Sequence, residues 1–338
     1  MANSSGTAAD WDALVTALDT FAVANGWTQD EITLGDRYAL HKNNVYVSMR
    51  WNTADPTNVA MFQALGWTSS TLPGNHPDDS GTPGTIDATP DNDDRGLGDL
   101  PGGPYDYFFF ADPGGPQEYI HVVLSASDGT YRHFGFGELD KFPNQSAWTG
   151  GEYLYGTNWR ESTTLLQNTV PYGIFDGYYL SSSPGNITAT IHVEGLTGDY
   201  HRQDAATKWA AVGGTFFTSG NTDRAGNPRS SVIGAVRGGP VPYSWSWVVD
   251  NGVSDLNPII PMHLWLARNS ENGPRHIQKA ACLLGQAPDM GTMNIRNFVE
   301  GEEKTIDGDV WKFFPLVLKA NSGVNHTKNL GIAYKKIP

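Results

Sequence analysis

The chain has 338 residues, with 36 acidic and 22 basic side chains and a formal net charge of −14. That charge repels nucleic acid, and no run of Lys and Arg offsets it locally. A single cysteine, Cys282, excludes an intrachain disulfide and a cysteine-based zinc site. No stretch approaches the roughly 18 apolar residues of a membrane-spanning helix. The opening MANSSGTAADWDALV has neither the basic nor the apolar region of a secretory leader, so synthesis in a cytoplasm without export is expected. Glycine (39), proline (21) and aromatic residues (12%) are abundant while charged residues are only 17%. Such a mixture favours short strands and tight turns over helical bundles.

In chain order, the first element is a helix. Asp10 is a suitable N-cap, Trp11, Leu14, Val15, Leu18, Phe21 and Ala22 form one apolar stripe, and Asn25-Gly26 closes it. Its natural partner is a hairpin of Tyr38–Leu40 and Val45–Trp51 turned at Asn43-Asn44. A second short helix is expected from Asn58 to Leu65. Residues 1–68 thus read as a small N-terminal α+β unit. Residues 69–104, with Pro73, Pro77, Pro83 and Pro90 among Gly, Ser, Thr, Asn and Asp, read as an extended loop or arm.

Residues 105–338 read as a β-rich main domain. Runs at Tyr105–Ala111, Glu118–Ala126, Thr130–Gly137, Glu152–Tyr155, Ile187–Val193, Gly214–Thr218, Ser231–Val236, Tyr243–Val249, Met262–Arg268, Val310–Leu318 and Leu330–Lys335 are separated by turn residues. Only Arg275–Leu284, between Pro274 and Gly285, competes as a helix. The fold class expected is mainly β: an antiparallel sandwich or barrel-like domain with the small α+β unit in front. A two-residue turn at Asp128-Gly129 places Leu124 opposite His133 and His121 opposite Phe136. One face then carries Ile120, Val122, Leu124, Ala126 and Tyr131, and the other His121, Val123, Phe134 and Phe136. Both faces are apolar enough to require cover, from a second sheet or a neighbouring subunit.

The search for chemistry returns no catalytic, cofactor-binding or metal-ligating residues. There is no phosphate-binding glycine loop, nucleophile elbow or zinc helix; Gly96-Leu97-Gly98 runs into Pro101 where a dinucleotide fingerprint needs glycine. His121 and His133 fail as a metal pair in the register above, since ligands have to converge on one point. Asp91-Asn92-Asp93-Asp94 begins like a calcium loop, but Gly102 stands where the twelfth-position acid belongs. Trp148, Trp159, Trp245 and Trp247 are conceivable sugar platforms, although Tyr243, Trp245 and Trp247 alternate with serines as in a half-buried strand. The sequons at Asn3, Asn144, Asn186 and Asn325 carry little meaning without export.

Three phrases carry a resemblance. The first is Arg95-Gly-Leu-Gly-Asp-Leu-Pro-Gly-Gly-Pro leading into Tyr105-Asp-Tyr-Phe-Phe-Phe. The second is Tyr131-Arg-His-Phe-Gly-Phe-Gly-Glu-Leu-Asp-Lys141, with Trp148-Thr-Gly-Gly-Glu-Tyr153 after it. The third is Asp307-Gly-Asp-Val-Trp-Lys-Phe-Phe-Pro315, ending in Asn329-Leu-Gly-Ile-Ala-Tyr-Lys335. Together with the Asn-Gly-Trp27 opening, they resemble a family of virion structural proteins encoded among the tail genes of tailed bacteriophages. The resemblance implies a non-enzymatic subunit of the tail, neck or collar, or baseplate, assembled in the host cytoplasm. It implies other virion proteins and copies of the chain itself as partners, with no cofactor, nucleic acid or membrane. A receptor- or glycan-binding module of a phage tail is the alternative, and a glycoside hydrolase the third reading.

Overall fold

The structure, a computed structural model, describes residues 2–52, 55–64, 96–97, 100, 102–142, 150–156, 189–192, 209–211, 231–237, 259–268, 279–316 and 330–338. They form one helix and three antiparallel sheets. The central sheet runs β1 (Asn3–Ala8), β7 (Tyr105–Phe110), β8 (Tyr119–Ser125), β9 (Tyr131–Glu138), β11 (Glu152–Gly156), β12 (Ala189–His192) and β13 (Trp209–Ala211). A five-stranded sheet runs β2 (Thr28–Thr33), β3 (Arg37–Lys42), β4 (Val45–Asn52), β5 (Asp55–Ala64) and β6 (Gly96–Leu97). The third runs β14 (Ser231–Arg237), β15 (Ile260–Arg268), β16 (Lys279–Asn294), β19 (Leu330–Lys336), β18 (Asp309–Pro315) and β17 (Glu303–Ile306), with β10 (Asp140–Lys141) beside β16. The mainly-β, sandwich-like class read from the sequence is the class observed.

Helix α1 (Trp11–Ala24) forms for local reasons. The Asp10 carboxylate accepts from the Ala13 N–H at 2.8 Å, satisfying a donor that the first turn leaves open. At the far end Gly26 takes the left-handed conformation, φ 84°. The buried residues are the six of the expected stripe. The hairpin turn is also as read: Lys42 pairs with Val45 around Asn43, whose φ is 51°. The helix, however, packs on more than that hairpin. Its core joins Leu18 and Phe21 to Tyr38, Val47 and Trp51 of the five-stranded sheet and to Phe109, Ile120, Val122, Phe134 and Phe136 of the central one. The Phe21 and Phe109 rings lie 5.4 Å apart, and those of Trp27 and Phe136 5.2 Å. β1, which the sequence reading did not mark, is itself an edge of the central sheet, pairing along β7.

Two expected helices are strands. The Asn58–Leu65 reading falls on β5, where Val59 and Met61, two residues apart, are buried and pair with Trp51 and Met49. A period of two is a strand's period, and a long partner strand was there to satisfy it. The Arg275–Leu284 reading falls, from Lys279 on, on β16, whose backbone is bonded to β15 on one side and to β19 further along, and residues 275–278 lie outside the described residues. Gly285 is not a helix stop. A Cβ there would sit 2.6 Å from the Asp140 carbonyl oxygen, so the glycine permits β10 to approach. Within the expected arm, Gly96–Leu97 forms β6 against β5 and Leu100 is buried, whereas residues 69–95 lie outside the described residues. The runs Gly214–Thr218 and Tyr243–Val249 lie outside them too.

The β8–β9 hairpin corrects the expected register by one residue. Ser125 pairs with Tyr131, His121 with Gly135 and Val123 with His133. The connection is a three-residue loop, Ser127-Asp128-Gly129. It is closed by Ala126 N–H donating to Thr130 O at 2.8 Å, with Gly129 at φ 78°. The Asp128 carboxylate stiffens it by accepting from the Thr130 N–H at 2.9 Å and its hydroxyl at 2.6 Å. A slip of one moves every side chain of one strand to the other face. Phe134 and Phe136 therefore join Ile120, Val122 and Leu124 on the helix side, while His121, His133 and Tyr131 share the opposite side. Both faces are covered, as their apolarity demanded. The first is covered by α1 and the five-stranded sheet, the second by the third sheet.

Candidate functional site

A polar constellation lies in the seam between the central and third sheets. It begins with the alternation Phe134-Gly135-Phe136-Gly137. The phenylalanines go to the helix-side core, so the glycines leave bare backbone on the seam side of β9. Tyr155 pairs with Gly135 and Tyr153 with Gly137, and their rings fill that trough, 6.2 Å apart and nearly parallel. His121 pairs with Gly135 from the other side. Across the seam, β19 contributes Tyr334, stacked on Phe110 at 5.0 Å and on His133 at 5.9 Å.

Hydrogen bonds tie these rings to both sheets. Nε2 of His121 lies 2.8 Å from the Pro288 carbonyl of β16, and Nε2 of His133 lies 2.8 Å from the Pro315 carbonyl of β18. Carbonyls only accept, so each Nε2 carries the proton and each Nδ1 is an acceptor. The Tyr155 hydroxyl donates to Nδ1 of His121 at 2.8 Å, and the Tyr334 hydroxyl to Nδ1 of His133 at 2.9 Å. Tyr155 and Tyr334 also meet through their hydroxyls. Both histidines are fully buried, and that desolvation pushes each imidazole down to about 4. The backbone carbonyls act against the shift without cancelling it. Burial likewise pushes the Tyr153, Tyr155 and Tyr334 phenols above their ordinary range. At neutral pH all five groups are therefore uncharged.

At one end of the seam the Tyr119 hydroxyl donates to Asp289 Oδ2 at 2.6 Å. Asp289 takes φ 51°, its carboxyl raised chiefly by burial, and Lys335 stands 3.8 Å from it and 3.1 Å from Asp309. These residues interlock the sheets. What the buried rings do chemically is hold hydrogen bonds between the two sheets, with the Lys335 pairs at the seam's end.

The structure brings His121 and His133 to one face, where the expected register separated them. Their ring nitrogens are taken by carbonyls and phenols, and among the described residues no group of three or more His, Cys, Asp or Glu could hold a metal ion. Asn3 lies in β1 and its amide donates to the Ile337 carbonyl at 2.8 Å. Residues 91–95, Trp148, Trp159, Trp245, Trp247 and the other three sequons lie outside the described residues, and Cys282 is described only as backbone in β16. Sequence reasoning missed Tyr119, Tyr153, Tyr155, Tyr334 and Asp289. The one available signal was the glycine on every second position of β9, which leaves a trough for rings on the next strand. No helix among the described residues is long and apolar enough to cross a membrane. No protein-family model matches the chain, and no curated protein matches it.

The trough makes a direct prediction. A Cβ on Gly135 would lie 2.8 Å from the Ile120 carbonyl oxygen and 2.8 Å from the Tyr155 ring. Gly135→Ala is expected to cost about 1–3 kcal/mol through overpacking. Urea unfolding at pH 7.5 should show a lower midpoint at unchanged slope; an unaltered midpoint would mean that the seam yields freely.

Proposed function

We propose that the chain is a structural subunit of a tailed phage particle, in the tail, neck or collar, or baseplate, acting through assembly contacts without catalysis. One observation carries this reading: where the phrases behind the family resemblance fall. Tyr131–Lys141 supplies β9 and β10, Asp307–Pro315 supplies the turn into β18 and the strand itself, and the last phrase supplies β19. Their side chains build one seam, with His133, Phe314 and Tyr334 in mutual contact or one ring apart. The residues that make the family resemblance are thus residues of inter-sheet packing, which is what a load-carrying subunit requires. Ring assembly from such subunits uses heterologous contacts that close by symmetry.

The test is quantitative mass spectrometry of particles purified from cells that also express the neighbouring genes. A stoichiometric signal with a copy number that is a multiple of three or six supports a ring subunit. Absence from the particles overturns the reading and sends the search to glycan binding.

A further inference from the structure

The outer edge of β1 is open. The Ala111 N–H donates to the Ala2 carbonyl at 2.8 Å, one step beyond the Asn3–Phe110 pair of the β1–β7 register. In an antiparallel ladder the bonded positions recur at every second residue. Ser4, Gly6 and Ala8 therefore turn their backbone groups to β7, and Asn3, Ser5 and Thr7 turn theirs away from it. Ser5 and Thr7 are exposed, and among the described residues no strand pairs with that edge. Each of the three outward residues presents one N–H and one C=O.

A bare row of donors and acceptors invites a further strand, and sheets ordinarily guard it with charge, proline, a bulge or brevity. Three other edge strands do so. β2 carries Asp30 and Glu31 and a register shift between Gln29 and Glu31, β6 is two residues long, and β17 carries Glu303 and Lys304. β1, Asn-Ser-Ser-Gly-Thr-Ala, has no charge, no proline and no register shift along its six residues. On a chain of net charge −14, an uncharged edge is where two copies meet without opposing like charges.

We propose that β1 pairs with β1 of a second copy of this chain, antiparallel about a two-fold axis at Ser5, joining two central sheets into one. In this register Ser5 faces Ser5, Asn3 faces Thr7 and Ser4 faces Gly6. The outward residues meet donor to acceptor, each bonded pair exchanging two hydrogen bonds. The side chains brought together are small and neutral, and Gly6 adds no bulk at the closer, non-bonded pairs. Charge selects the antiparallel copy. At the Thr7 end the hydroxyl donates to Asp106 Oδ1 at 2.6 Å. At the Asn3 end the amide donates to the carbonyl of Ile337, next to Lys336, and Lys336 and Lys312 share the carboxylate of Glu303. Asn3 and Thr7 lie on one face of β1, so the two-fold pairing sets the acidic end of each copy beside the basic end of the other. A parallel pairing in register would set Asp106 beside Asp106. The contact is isologous and links copies in pairs, unlike a heterologous ring contact. It rests on the geometry of the edge and not on the particle reading.

The experiment is mild oxidation of the purified full chain carrying Ser5→Cys or Thr7→Cys, one at a time, with the unaltered chain as the control for Cys282. At the axis the two Cα atoms of position 5 stand about 5.5 Å apart, within the span of a disulfide, whereas those of position 7 are offset by about 13 Å. The expected result is a disulfide-linked dimer from Ser5→Cys, formed at least about tenfold faster than from Thr7→Cys or from the unaltered chain. Equal rates at the two positions, faster linkage at position 7, or no linked dimer from Ser5→Cys up to millimolar chain would overturn the proposal. Amide hydrogen exchange on the unaltered chain gives a reading free of substitution. The N–H groups of Ser5 and Thr7 should gain protection as the concentration rises, while those of Ser4 and Gly6 stay constant. Exchange at Ser5 and Thr7 that is indifferent to concentration overturns the pairing as well, and decides the matter alone if a variant does not fold.

Discussion

Lowering the pH from 7.5 to 4.5 is expected to remove several kcal/mol of stability from this fold, more than any single surface change. The cause is His121 and His133, each fully buried and held down to about 4 from a free value of 6.5. Above about 6.5 neither the folded nor the unfolded chain protonates them, and their contribution is constant. Between 6.5 and 4 the unfolded chain binds protons that the folded chain refuses, so stability falls as pH falls. Below the folded value both states are protonated and the loss levels off. At 1.36 kcal/mol per unit, each imidazole is worth roughly 3 kcal/mol across the window. Asp19 and Asp289 act with the opposite sign, because burial raises their carboxyls and protonation relieves them as the pH drops. Their offset is partial. Urea midpoints measured at half-unit steps should fall most steeply between about pH 6 and 4.5. A flat profile across that window would sink the assignment of two neutral buried histidines.

Trp11→Ala is expected to cost about 4 kcal/mol, a large share of the 5–15 kcal/mol that ordinarily separates folded from unfolded chains. Trp11 is 2% exposed and stands at the start of α1 between the five-stranded and central sheets. Its ring lies 6.4 Å from Trp51 of the five-stranded sheet, and 6.5 Å from Tyr105 and 6.1 Å from Phe134 of the central sheet. Truncation opens a cavity bordered by two sheets and the start of α1, which cannot all collapse inward. The indole N–H has no hydrogen-bond partner among the described residues. Trp11→Phe, which deletes that donor along with some volume, should therefore cost far less than the alanine change. Comparable losses for the two variants would show that the N–H, not the packing, matters. Denaturant unfolding monitored by circular dichroism distinguishes them.

How far the fold was legible follows from the range of the interactions involved. The helix Trp11–Ala24 was readable because its cap, its stripe and its closing glycine all lie within sixteen residues of one another. The same holds for β7, β8, β9 and β11 of the central sheet and for the turn at Asn43, whereas β1 and β13 of that sheet were not read. Apolarity on both faces of β8 and β9 announced a covered sheet, and two covering layers are there. β5 and β16 were misread where a short apolar run suits either period and only the partner strand arbitrates. Gly285 shows the same ambiguity: its role is set by the Asp140 backbone, 145 positions earlier in the chain.

The register of β8 and β9 marks where local reasoning ended. Asp128-Gly129 identified the turn, but a two- or three-residue loop is a choice of one residue, and that choice decides which face every side chain takes. On it hung the separation or union of His121 and His133. What the sequence by itself determined is a chain of short, apolar, glycine-punctuated strands behind one capped helix, since propensity, periodicity and capping act over a few residues. What only the tertiary structure decided is the seam: Tyr155 from the next strand but distant in sequence, Tyr334 from the last strand, and the carbonyls of Pro288 and Pro315 meet two histidines there. Those partners are separated by 34 to 201 positions, and a pairing over such spans is selected by sheet stacking and by the cost of leaving a buried polar atom unpaired, neither of which has a signature in a local window.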